Sequence, residues 1–284
     1  MGIWLDPEPQ SWWFLVDEAL AEDIGTGDLS AVAIPDEDLV HWKIEAQADG
    51  VVCGLGIAEY LFAPSGNDPE NCRIIIDIAD GSTVSRGDIL ASGYGNARRI
   101  LTAERTGLNF LMHLSGVATL TSHFVSKVDG TGARIVDTRK TLPGLRGLQK
   151  YAVRCGGGFN HRMGLYDAVM IKDNHIAAAG SITAAIGKIR RFASHVTKIE
   201  VEVESLEQLD EAVRAKADIA LLDNMDPFQM RAAVKQFSGQ ILLEASGGIN
   251  LDTVRQVAQT GVDIISVGAL THSAPALAMH LEFD

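Results

Sequence analysis

The chain is short of positive charge, cysteine and long apolar runs, and each shortage closes a route. Against 37 Asp and Glu there are 24 Lys and Arg, a formal charge of −13. A body this acidic lacks the broad basic footprint that duplex binding needs, so nucleic acid is not expected as a partner. The three cysteines, Cys53, Cys72 and Cys155, are odd in number and form no CxxC pair. That usage fits a reducing cytoplasm better than a disulfide framework or a zinc site. No stretch approaches the roughly 18 apolar residues of a membrane span. The opening MGIWLDPEPQ has no basic segment followed by an apolar one, so neither membrane nor secretory targeting is expected. Met1-Gly2 opens like a myristoylation site, but Asp6 stands where that motif wants Ser or Thr. Tandem repeats, low-complexity tracts and flexible Pro- or Ser-rich linkers are absent as well.

What is there is 284 residues, 46% hydrophobic, enough for one large or two ordinary domains. The character of the chain changes near residue 130. Before it, Ser11 can cap a helix whose apolar positions Trp12, Leu15, Val16, Ala19 and Leu20 recur at helical spacing and which ends at Gly25 and Gly27. Strand-like runs follow at Trp42 to Val52, Arg73 to Ile78 and Asp88 to Ser92. A long helical pattern then spans Ala97 to Val128, with a break expected near Gly116. The DGSTVSRGDIL segment could suggest a lipoyl or biotinyl carrier, but no Lys occupies a hairpin tip there and a β-rich accessory module remains.

After residue 130 a strand-then-helix rhythm sets in, and the strands lead into residues with chemistry. Ala133 to Val136 leads to Asp137, Thr138, Arg139 and Lys140, and Ala168 to Ile171 leads to Lys172. Ile199 to Val203 carries Glu202, while Ile219 to Leu222 leads to Asp223 and Asn224. Ile241 to Ala245 leads to Ser246, Gly247 and Gly248, and Ile264 to Val267 leads to Gly268. Polar residues at the carboxyl ends of parallel strands mark an α/β barrel; six strands, fewer than eight, predict an incomplete one. The glycines at the last two ends suit a phosphate, because backbone N–H groups can approach it there.

One block runs against the overall charge. From Arg134 to His175 there are eight Lys or Arg against three Asp or Glu, plus two His. A basic concavity in an acidic body suits a small polyanion. Arg139 and Arg162 can fork onto a carboxylate or phosphate, His161 can donate to the same anion, and Lys140 and Lys172 act as point charges. Arg146, Lys150 and Arg154, on an intervening helix, read as solvated surface charges. A Schiff-base role for Lys172 in an aldolase-like barrel leaves its cationic company unexplained. The Gly156-Gly157-Gly158 run follows a helix rather than a strand, so it reads as a stop and sharp turn. Glu202 and Asp223 form the acidic counterpart, able to hold Mg²⁺, accept from ribose hydroxyls or offset a developing cation. Glu200 points to the same side as Glu202.

The block DTRKTLPGLRGLQKYAVRCGGGFNHRMGLYDAVMIKDNHI resembles that of the quinolinate phosphoribosyltransferases. The likeness extends to EDIGTGD, LTAERTGLNFLMHLSG, IEVEVESLEQL, LLDN, EASGGIN and VGALTHS. The resemblance implies an N-terminal α/β sandwich domain, residues 1–112, and an open, incomplete α/β barrel of the type II phosphoribosyltransferase kind, residues 113–271. The tail, about 272–284, would pack back on the first domain. It further implies transfer of phosphoribosyl from phosphoribosyl pyrophosphate to quinolinate with decarboxylation, giving nicotinate mononucleotide, CO₂ and pyrophosphate. Mg²⁺ would accompany the pyrophosphate, held by Glu202 and Asp223. Quinolinate would meet Thr138, Arg139, His161, Arg162 and Lys172, with Arg105 supplied by the partner of a homodimer. Phosphoribosyl pyrophosphate would meet Lys140, Lys172, Glu202, Asp223, Asn224, Ser246, Gly247, Gly248, Gly268 and His272, with Lys140, Lys172, Glu202 and Asp223 forming the catalytic group. Phe159 departs from the commonest family pattern. The rivals are a molybdenum-transport-associated paralogue acting on another acceptor and a non-catalytic anion-binding protein on the same scaffold. The KDNH sequence speaks against the first, Glu202 and Asp223 against the second.

Overall fold

The computed structural model describes residues 12–63 and 72–283, so the expected cap Ser11 falls outside it. The chain forms two compact units. The first takes in the described residues up to Ser122, then Leu142–Gly157 and the residues from Ser273 onward; the second is His123–Thr141 with Gly158–His272.

In the first unit an antiparallel sheet runs in the order Met279–Phe283, Leu39–Ala46, Ile89–Asn96, Arg73–Ile75. Alternation builds its inner face: Trp42, Ile44 and Ala46 are buried, while Leu39 and His41 are exposed. Trp42 packs on Phe62 of helix Leu55–Phe62, their rings 5.0 Å apart. The tail strand pairs along Leu39–Ala46, from Trp42 opposite Phe283 to Ala46 opposite Met279. Helix Trp13–Ile24 stops where Gly25 takes φ 55°.

Two expectations change here. Helix Ala97–Val128 runs through Gly116 without a break. A Cβ on Gly116 would lie 2.1 Å from the Pro275 carbonyl oxygen, so this glycine permits a close backbone approach. The second change concerns Leu142–Gly157, which the sequence division places in the barrel and which clusters with the first unit. Its helix, Arg146–Cys155, is held there by close contact: a Cβ on Gly156 would meet the Ala118 carbonyl oxygen at 2.3 Å, and Tyr151 donates to Asp80 at 3.0 Å. Lys150 is accordingly buried, at 1% exposure, and is no solvated charge; Arg146 and Arg154 are half-buried. The same packing brings Cys53, Asp80 and Cys155 together, and burial holds the Cys53 thiol well above its ordinary range.

The second unit is built on six parallel strands: β1 (Arg134–Val136), β2 (Val169–Ile171), β3 (Ile199–Val203), β4 (Ile219–Asp223), β5 (Leu242–Ser246) and β6 (Ile264–Ser266). Their order is β1-β6-β5-β4-β3-β2, which leaves β1 and β2 as the two edges of an open barrel. Strands covered on both faces are rich in apolar residues, and Val201, Ala220, Leu222, Ala245 and Ile265 are fully buried. Neighbouring strands end level, with Asp223 opposite Ser246. Ser205 caps helix Leu206–Arg214 by accepting from Gln208, and Asp226 with Gln229 forms a capping box on Pro227–Phe237. On the free edge of β1, Phe159 makes an isolated parallel bridge with Val136.

Candidate active site

The carboxyl ends of the six strands carry nearly all of the expected barrel residues, sorted by strand. β1 leads into Asp137, Thr138, Arg139 and Lys140; β2 leads into Lys172. Glu202 lies on β3, Asp223 ends β4 with Asn224 after it, Ser246 ends β5 before Gly247 and Gly248, and Gly268 follows β6. Cations thus occupy the two edge strands, carboxylates the next two positions, and glycines the last two.

Each position has a local cause. Thr138 Oγ1 accepts from the Lys140 backbone N–H at 3.0 Å, which shapes the turn after β1. Thr271 donates its hydroxyl to the Lys140 carbonyl at 2.8 Å, tying that turn to helix Ala269–His272. A Cβ on Gly268 would stand 3.2 Å from His272 Nε2 and 3.3 Å from Lys140 Cδ, so Gly268, His272 and Lys140 converge. Gly247, at φ 102°, lies against Asn224: a Cβ there would meet Asn224 Oδ1 at 2.1 Å. Gly248, at φ 61°, faces open space, leaving its backbone accessible. Asn224 itself takes φ 52° and donates to the Asp223 carboxylate at 2.9 Å. Lys172 Nζ is hydrogen-bonded to Glu202.

Beneath the cations lies a layer of acid that the sequence only half discloses. Asp137 is fully buried and accepts from Asn160 Nδ2 at 2.6 Å and from the His161 backbone N–H at 2.9 Å. His161 Nε2 lies 3.0 Å from Glu200 Oε2 and 3.6 Å from Glu244 Oε1, both carboxylates being buried. Burial, then the adjacent Glu200 charge, pushes Glu244 up to about 7. Arg162 donates through Nη1 to the Ala168 carbonyl at 3.1 Å. Burial and then the neighbouring Arg139 charge lower its pKa, with Glu200 and Asp167 acting in the opposite direction. Glu244 escapes sequence reasoning because an acid inside an apolar strand reads there as a turn or surface residue; it directly precedes Ala-Ser-Gly-Gly, and that proximity was the available signal.

His161 differs from expectation. Its Nδ1 accepts from the Arg162 backbone N–H at 2.7 Å and its Nε2 faces the glutamates, so both ring nitrogens are engaged within the protein. Phe159 also finds its explanation: its backbone bridges β1, its half-exposed ring lies under Arg134 with the guanidinium 5.1 Å from the centroid, and the next residue, Asn160, turns to Asp137. Arg105 is exposed on helix Ala97–Val128 of the first unit.

For a metal, Glu202 and Asp223 offer hard oxygen donors on adjacent strands. Among the described residues neither belongs to a group of three ligand-type side chains. That donor set fits Mg²⁺ in the form it commonly takes beside phosphates, with one or two carboxylates and the remaining positions filled by phosphate oxygens and water.

Comparison with known proteins matches residues 25–115 to the quinolinate phosphoribosyl transferase N-terminal domain and residues 117–282 to the C-terminal domain. The chain belongs to this family. It is 44% identical to a probable nicotinate-nucleotide pyrophosphorylase (carboxylating) of Bacillus subtilis, over 94% of this chain and 92% of that one. It is 43% identical to the nicotinate-nucleotide pyrophosphorylase (carboxylating) of Mycobacterium leprae, over 94% and 95%. The solved nicotinate-nucleotide pyrophosphorylase of Francisella tularensis superposes with a TM-score of 0.92 at 40% identity, covering 99% of this chain and 98% of its own. As a quinolinate phosphoribosyltransferase family member the chain has the two-domain fold expected of it, an α/β first domain and an open α/β barrel. Among the described residues no helix is long and apolar enough to cross a membrane.

Proposed function

We propose that this chain joins quinolinate to the ribose of phosphoribosyl pyrophosphate and decarboxylates the adduct to nicotinate mononucleotide. The pyridine nitrogen bonds to the ribose C1 as the pyrophosphate leaves; the carboxylate next to that nitrogen then departs as CO₂ and a proton takes its place. The observation that carries this reading is the ordering around the barrel mouth: cations on the edge strands, carboxylates on β3 and β4, glycines after β5 and β6. A dicarboxylate needs Arg139, Arg162 and Lys172, whereas a pyrophosphate and a 5-phosphate need Lys140 and the glycine backbones. The ribose passes through an oxocarbenium-like state, which Glu202 and Asp223 are placed to offset. The Lys172 and Glu202 pair balances the site before substrates arrive. Mg²⁺, when bound by Glu202 and Asp223, would neutralise the leaving pyrophosphate.

Arg105 is on the first unit, and we assign it to the barrel mouth of a second copy, so the working form is a homodimer. The cytoplasm is the proposed compartment, in keeping with three free cysteines; relatives in Oryza sativa and Arabidopsis thaliana are chloroplastic. Steady-state kinetics test the division of labour. Arg162→Ala should raise the KM for quinolinate about tenfold or more and leave that for phosphoribosyl pyrophosphate little changed, and Lys140→Ala the reverse. Equal effects on both substrates from both variants would refute it.

A further inference from the structure

His161 is gripped at three points. Its backbone N–H donates to the buried Asp137, its Nδ1 accepts from the Arg162 backbone N–H at 2.7 Å, and its Nε2 is 3.0 Å from Glu200 Oε2. An imidazole nitrogen that accepts carries no proton, so the hydrogen is on Nε2 and points to the carboxylates. Glu200 and Glu244 are 3% and 2% exposed, and Oε1 of each has no hydrogen-bond partner. Burial and the Glu200 charge push Glu244 up to about 7, while His161 and Ser266 act the other way. A divalent ion could otherwise balance this pair, since His161, Glu200 and Glu244 converge. It would need the Nε2 lone pair while Nδ1 is already accepting, which would require an imidazolate. A proton satisfies the geometry and a metal does not.

We propose that Glu200 and Glu244 are positioning residues: they clamp His161 as the neutral Nε2–H imidazole, and through its Nδ1 they fix the backbone from which the Arg162 guanidinium projects. The proposal rests on the reading of Arg162 as a quinolinate-binding residue. Without the clamp the ring is free to turn, the Arg162 N–H loses its acceptor, and the guanidinium loses its fixed origin.

The test combines ¹⁵N spectra of histidine-labelled full-length protein, with His161 assigned by its loss in His161→Gln, and steady-state kinetics. Wild type should show the neutral Nε2–H pattern for His161 at about pH 7.5, roughly one unit above the free imidazole value. Glu200→Ala should abolish that pattern and raise the quinolinate KM about tenfold, with the phosphoribosyl pyrophosphate KM within about twofold. Glu200→Gln, whose amide oxygen still accepts from Nε2–H, should restore most of the loss. An imidazolium or Nδ1–H pattern in wild type overturns the proposal, and does so even if Glu200→Ala fails to fold. So does an unchanged quinolinate KM in folded Glu200→Ala, or stoichiometric retention of added Zn²⁺ that is lost in Glu244→Gln. If Arg162→Ala itself leaves the quinolinate KM unchanged, the reading of Arg162 fails instead; if Arg162→Ala raises it and Glu200→Ala does not, the clamp alone fails.

Discussion

At the scale of single residues the site is a layer of cations over a layer of buried acid. Arg139, Lys140 and Lys172 were legible in the sequence because they follow apolar strands, and Arg162 because it stands in the same cationic block after the glycine turn. Glu244 was not, since an acid inside an apolar run gives no sign of which face it occupies. Its raised pKa predicts a stability effect. A carboxyl at about 7 in the folded state and 4.5 in the unfolded state binds its proton more tightly when folded. Stability from this group is therefore complete below pH 4.5, falls as pH rises, and is lost once the pH has passed about 7. Glu200 and Asp137 push it up, while His161 and Ser266 pull it down. Glu244→Gln removes the titration, so denaturant midpoints should show the variant gaining on wild type between pH 4.5 and pH 8, the upper limit being about one unit above the shifted value. Parallel curves for the two proteins would contradict the assignment.

At the scale of elements, strand positions came through better than helix packing. All six barrel strands appear within one or two residues of where β-branched runs place them, because parallel strands covered on both faces are rich in apolar residues. Two glycines misled. Gly116 reads as a helix break, and the Gly156-Gly157-Gly158 run reads as a turn alone, yet Gly116 and Gly156 serve close approach to Pro275 and Ala118. A sequence discloses that a position has no side chain but not what presses on it. Lys150 misled for the same reason, its burial depending on how helix Arg146–Cys155 packs in the first unit. Gly116→Ala should cost about 1–3 kcal/mol of stability, since the obstructing atom is a backbone oxygen that cannot rotate away. Urea unfolding would measure it, and a change below about 0.5 kcal/mol would contradict the close approach.

At the scale of the molecule, the family match over both domains says what the chain is built to do, and the barrel ordering says where. The shared site predicts complementation. Arg105→Ala and Arg162→Ala, each inactive alone, should regain about a quarter of wild-type activity when mixed and re-equilibrated, because random pairing restores one intact site in half of the dimers. Persistent inactivity despite demonstrated exchange would place Arg105 outside the partner's site. The central claim, that the cationic block serves quinolinate and phosphoribosyl pyrophosphate together, is reached most directly by one assay. The protein is given quinolinate, phosphoribosyl pyrophosphate and Mg²⁺, and pyrophosphate and CO₂ are followed in the same reaction. The account predicts their release in equal amounts with formation of nicotinate mononucleotide; no turnover of quinolinate, with turnover of a different acid, would contradict it.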